Sequence, residues 1–151
     1  MIQHIDVQAV LQESVSGVYT DLVTRPTGRV VREHIERAMA TAQDPVTVTR
    51  IDFTGVGCID YSCADEIVAK LLRDRRAVVV LSGLSEGHRE AIEPVLAGHG
   101  LAALIERRRE GGGGDLEALG APEAAAALVH ELVARGLAER TPAGTIALTL
   151  A

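Results

Sequence analysis

Two periods of apolar residues alternate along most of this chain. Short, fully apolar runs have the look of buried strands, and between them lie longer stretches in which apolar residues return every third or fourth position, the period of a helix packed on one face. The first segments, "IDVQAVL" and "VYTDLV", favour extended structure on either side of "QESVSG", and they predict a hairpin over Ile2 to Thr24 that ends at the turn-forming "TRPTG". "RVVREHIERAMATA" then places Val31, Ile35, Ala38, Met39 and Ala42 on one helical face, and "QDP" ends that helix. "VTVTRIDF" reads as a buried strand stopping at Thr54-Gly55. From Tyr61 to Asp74 the residues Ala64, Ile67, Val68, Leu71 and Leu72 form a second helical stripe.

"AVVVLSGL" is a further apolar strand, and "LAALIE" is another. Between them "SEGHREAIEPVLAGHG" is helical by pattern, with Pro94 expected to kink or split it. Strands alternating with helices predict an α/β fold, a mixed sheet that is mostly parallel, joined by right-handed crossover helices, with the front hairpin adding one antiparallel strand.

Four consecutive glycines at 111–114 read as a flexible linker, which divides the chain into a domain over 1–110 and an appendage over 115–151. In the appendage, "APEAAAALVHELVARG" has Pro122 near its start and Gly136 just past its end, and "LAERTPAGTIALTL" predicts a hairpin around "TPAG". Helix plus hairpin is the outline of the last part of a winged helix. Its reading helix would begin with Glu123 and four alanines and has no Lys or Arg before Arg135, so a packing or dimerising role is the better reading.

Composition narrows the function. The net charge of −6 provides no positive field for a phosphate backbone, and with one Phe, two Tyr and no Trp there is no stacking platform for bases. No nucleic-acid partner is expected. The N-terminus lacks the order of a secretory signal, and the aliphatic runs are too short to span a bilayer, so a cytoplasmic protein without a membrane partner is expected. Cys58 and Cys63 have neither paired zinc spacing nor redox spacing, and no cofactor or metal is expected.

The chemistry gathers in "TGVGCIDYSCADE", between a strand end and a helix start, where α/β sheets collect ligands and partners. One reading is purely structural. Ser62 and Asp65 have the spacing of a capping box, Glu66 suits the helix dipole, Asp52 and Asp60 can bond to turn amides, and the two cysteines can be core residues. Catalysis finds little footing: Cys63 as a nucleophile needs a nearby histidine, and His4, His34, His88, His99 and His130 are scattered. Carboxylates at Asp52, Asp60, Asp65 and Glu66 match no known metal loop. Arg25, Arg29 and Arg32 beside Gly28 are a candidate anion-binding set, or simply a helix start with its arginines in solvent.

The element order, together with "IDFTGVGCIDYSCADEIVAKLL" and "VVVLSGLSEGHREAIEPVLAGHGL", resembles the STAS domain, named for sulfate transporters and anti-sigma-factor antagonists, over residues 1–108. The "DF…D.S.ADE" form with "TR.TGR..R" upstream is closer still to bacterial STAS-like domains of uncharacterised function. In the antagonists a strand leads through hydrophobic, Asp, Ser, Ser, Gly into the second helix, and the matching residues here are Ile59, Asp60, Tyr61, Ser62 and Cys63. The family's first serine is phosphorylated by a histidine-kinase-like ATPase, and the unmodified form binds that kinase and frees a sigma factor. Tyr61 stands at that position and Ser62 at the second serine.

The resemblance implies a non-enzymatic regulatory module docking to such an ATPase or to a sigma-related regulator. Asp60, Tyr61, Ser62, Asp65 and Glu66 are its expected partner-binding or regulatory residues, with Ser62 the candidate for modification and Tyr61 the anchor. The alternative is a sensor of a small ligand, a nucleotide or other anion, that alters homodimerisation through the C-terminal helix.

Overall fold

A computed structural model describes residues 2–15, 20–41, 48–73, 78–108 and 114–149 of the chain. Strand β1 (Ile2–Asp6) runs into helix α1 (Val7–Ser14), and after α2 (Arg25–Ala40) the chain forms β2 (Val48–Asp52). A single helical run over 61–73, here α3, begins at Tyr61–Cys63, widens to a π-helical segment at Ala64–Ala69 and closes at Lys70–Arg73. Then come β3 (Val78–Ser82), α4 (Glu86–Gly98), β4 (Ala102–Arg108) and β5 (Gly114–Gly120). The chain closes with α5 (Pro122–Ala134), β6 (Ala138–Arg140) and β7 (Ile146–Leu148).

The fold is α/β, with one seven-stranded sheet in the order β1-β2-β3-β4-β5-β7-β6. Neighbours from β1 to β4 are parallel, while β4 with β5, β5 with β7 and β7 with β6 are antiparallel. The expected mainly parallel sheet is therefore evenly mixed. Alternation along the strands sorts the core into two layers. Ile5, Ile51, Leu81, Ala103, Ile105 and Leu119 pack in one cluster with residues of α1 to α4, and Val48, Val80, Leu104 and Leu116 pack in a second with Leu132, Leu137 and Ala138.

The N-terminal hairpin is not formed. Ile2–Asp6 is a strand parallel to β2, and "VQAVLQES" is a helix. Val7, Val10 and Leu11 recur at helical spacing and are buried, and the Asp6 carboxylate caps the helix by accepting from Ala9 N–H at 3.2 Å. Part of "VYTDLV" lies outside the described residues. Its described end carries one bridge, Leu22 with Ile59, with Leu22 N–H on Cys58 O at 2.8 Å and Asp60 N–H on Leu22 O at 3.0 Å.

"TRPTG" opens α2 rather than closing a turn before it. Pro26 sits in the first turn, where its missing N–H has no intrahelical partner to lose. Val31 and Ile35 are buried as expected, Ala38 and Met39 pack partly against the core, and Ala42 lies outside the described residues. Pro94 does not split α4. It is exposed, and the helix is held on both sides of it by a Ser85–His88 capping box and by buried Ile92, Val95 and Leu96.

The last glycine of the run, Gly114, begins β5; the others are outside the described residues. "GDLEALG" pairs along β4 from Ala102↔Gly120 to Arg108↔Gly114, so the main sheet continues into the tail. The expected C-terminal helix and hairpin follow, the turn closed by Thr141 N–H on Thr145 O at 2.8 Å. No described helix is long and apolar enough to cross a membrane.

Candidate functional site

Helices α2 and α3 begin side by side. Asp60 is the N-cap of α3: its Oδ1 accepts from Cys63 N–H and from the Ser62 hydroxyl, both at 2.8 Å. Its Oδ2 accepts from Thr24 N–H at 3.0 Å, at the head of α2. The capping role read for Ser62 thus belongs to Asp60, two residues earlier, because Asp60 holds the extended backbone that a cap requires. Thr24 pays for the junction with a φ of +71°, a region that a β-branched residue enters only when its surroundings hold it there. The holding contacts are its N–H on Asp60 and its carbonyl, which accepts from Cys63 Sγ at 3.1 Å.

One turn into each helix the two backbones touch. A Cβ on Gly28 would lie 3.1 Å from both Cys63 Cα and Glu66 Cβ, so only glycine fits there without displacement. Arg25, Gly28 and Arg32 share one face of α2, and Cys63, Glu66 and Lys70 share the facing side of α3. Glu66 is 1% exposed. Its carboxylate meets Lys70 Nζ at 2.7 Å, Arg25 Nη1 at 3.0 Å and Arg32 Nε at 3.5 Å. Asp65 receives Arg25 Nη1 at 2.8 Å and His99 Nε2 at 2.7 Å, and Arg73 donates to the other ring nitrogen of His99 at 2.6 Å.

These contacts set the protonation states. Burial alone would raise the Asp60 carboxyl, but the donors from Thr24, Cys63 and Ser62 outweigh it and hold the group below its usual 3.8. For Asp65 the Arg25 hydrogen bond dominates and the shift is again downward. Glu66 also lies below its usual 4.5, burial being outweighed by Lys70, Arg25 and Arg32. The Cys63 thiol is pushed up to about 12, first by burial and then by the Asp60 charge, so it is no thiolate at neutral pH. Cys58 is exposed, yet loss of hydration and the neighbouring Asp21 carboxylate raise its thiol as well. Asp21 also accepts from Cys58 N–H at 2.9 Å.

The structure therefore gathers Asp60, Tyr61, Ser62, Asp65 and Glu66 at the start of one helix and gives each a different situation. Asp60 is a cap, Ser62 points its hydroxyl at that cap, Asp65 and Glu66 are ion-paired to α2, and Tyr61 is 63% exposed at the first helical position. Arg25 and Arg32 face Glu66, while Arg29 stays exposed on α2. Asp52 sits apart, at the end of β2, accepting from Thr54 N–H at 2.9 Å.

Sequence reasoning missed Thr24, Asp21 and His99. A histidine just after a helix and an aspartate before a turn carry no local sign of such distant partners. Among the described residues no group of three or more His, Cys, Asp or Glu could hold a metal ion. Comparison with protein-family models, with curated proteins and with solved structures returns no match for this chain.

Proposed function

We propose that this protein is a regulatory interaction module of the STAS type, which docks a kinase-like ATPase or a sigma-related regulator through the head of α3. The observation that carries the reading is Tyr61, exposed at the first position of α3 beside Asp60, Ser62, Asp65 and Glu66, which are tied down. Asp60 fixes the backbone to Thr24, Arg25 fixes Asp65, and Glu66 fixes α3 to α2. An aromatic on such a rigid base buries area in a partner at little entropic cost, which is the property of an interface anchor.

Ser62 is the modification point in this reading. Its hydroxyl lies on the Asp60 carboxylate, so a phosphate there breaks the hydrogen bond and adds close to two charges beside an acid. A partner seated on Tyr61 then faces a repulsive surface. The anion-sensor alternative draws less support at α2, because the guanidiniums of Arg25 and Arg32 face Asp65 and Glu66.

Affinity capture from lysate of the native host, read by mass spectrometry, tests the docking. The wild type is expected to retain a kinase-like ATPase or a sigma-related regulator, and Ser62→Asp and Tyr61→Ala are expected to lose it. Retention of the same partner by a variant substituted at Tyr61, Ser62 and Asp65 together would remove this surface from the account.

A further inference from the structure

A second site lies at the carboxyl ends of β2, β3 and β4, built from different residues. Strand register sets Asp52 beside Ser82 and Ser82 beside Glu106, so a carboxylate, a hydroxyl and a carboxylate stand in a row on one face of the sheet. Over this row opens a cavity of about 310 Å³, whose lining also includes Thr54, Arg89 and Arg107. That volume is at the lower end of the range for small-molecule sites, and carboxyl ends of parallel strands are where such sites collect.

Ser82 is 2% exposed, and its hydroxyl has no hydrogen-bond partner. A buried hydroxyl left unpaired is a cost that a folded protein retains only where something else satisfies the group. Of the other polar groups near it, Glu106 Oε1 and Arg50 Nε also lack a hydrogen bond but are ion-paired to each other. Arg50 Nε stands 2.8 Å from Glu106 Oε1 as an ion pair, and its Nη2 donates to Glu106 Oε2 at 2.9 Å. Arg89 and Arg107 both reach Glu117, at 2.9 and 3.2 Å. Asp52 Oδ1 accepts from the amide and hydroxyl of Thr54.

Two carboxylates, Asp52 and Glu106, and two guanidiniums, Arg89 and Arg107, line the cavity, so their charges cancel. Arg89 and Arg107 are both engaged by Glu117, and a net charged ligand would upset the balance. The buried Ser82 hydroxyl can donate and accept, and the Asp52 carboxylate beside it in register can accept. Neighbouring hydroxyl groups on a small neutral molecule match that pair.

We propose that this cavity binds a small neutral polyhydroxy compound of pentose or hexose size, held by Ser82 and Asp52. The site is independent of the docking surface on α3, and either assignment can fail alone.

Saturation-transfer NMR on the full chain with D-ribose, D-glucose and myo-inositol tests it, with phosphate and glycine as the anionic and zwitterionic comparisons. Saturable binding of at least one polyol is expected, weakened about tenfold or more by Ser82→Ala and by Asp52→Asn. Ser82→Ala should keep or raise the melting temperature, since it removes an unsatisfied group, which separates loss of binding from loss of fold. The proposal is overturned if no polyol saturates, if polyol binding survives Ser82→Ala, or if phosphate or glycine alone binds at Ser82.

Discussion

Asp60 and Thr24, far apart in sequence, are joined by one hydrogen bond of 3.0 Å that locks the starts of α2 and α3 together. Replacing Asp60 by Ala leaves the amides of Thr24 and Cys63 and the Ser62 hydroxyl without their acceptor. Loss of a helix cap costs about 1–2 kcal/mol, and urea unfolding of Asp60→Ala is expected to show at least that loss. Hydrogen exchange should quicken at the starts of both helices together. Quickening confined to α3 would mean that the link to Thr24 has no energetic weight.

Gly28 is where the two helices meet, with Cys63 and Glu66 occupying the space that a side chain at this position would need. Gly28→Val is expected to destabilise the fold by about 1–3 kcal/mol through overpacking, because the nearest atoms include backbone that cannot swing aside. A thermal melt of this variant at or above the wild-type temperature would contradict the close approach.

Acid should weaken this junction first. Asp60, Asp65 and Glu66 have native values below the usual 3.8 and 4.5, so the unfolded chain takes up protons more readily than the native one. Their contribution is fully present above those ordinary values and is lost as pH falls through the lower native ones. Melting temperatures followed from about pH 6 to about pH 3 should decline, and Glu66→Gln should decline less steeply over the same interval while starting lower. An identical slope in the variant would mean that Glu66 is not among the groups responsible.

The thiols should differ in their access to reagents. Cys58 is exposed and Cys63 is buried with a thiol held up to about 12. Alkylation of the native protein at mildly alkaline pH is expected to label Cys58 and to leave Cys63 untouched until the chain unfolds. Equal labelling of both would contradict the sealed α2–α3 contact.

The tail should prove inseparable. Strand β5 pairs along β4, and Leu132 of α5 packs with Val48, Val80 and Leu104. A chain ending at Glu110 would uncover that face and leave β4 as an open edge, so cooperative unfolding is expected to be lost. The milder Leu132→Ala should cost about 2–5 kcal/mol in the full chain. A truncated chain that still unfolds cooperatively would show that residues 1–110 hold their own core.

Periodicity by itself determined β2, β3, β4 and the helices α2 to α5, because their buried faces recur at one period over several turns or strand residues. The turn at the head of α3 was legible too, since acids and hydroxyls between a strand and a helix stand out locally. "IDVQAVL" was not decided locally: Ile5, Val7, Val10 and Leu11 fit either period in part, and the Asp6 cap and the packing of α1 beside α2 resolve it. "GDLEALG" is too short and too glycine-flanked to read as a strand until β4 supplies its hydrogen bonds. The partners of Glu66 and the row of Asp52, Ser82 and Glu106 depended wholly on tertiary structure. Helix contact and strand register bring together residues whose separation along the chain carries no mark of their meeting.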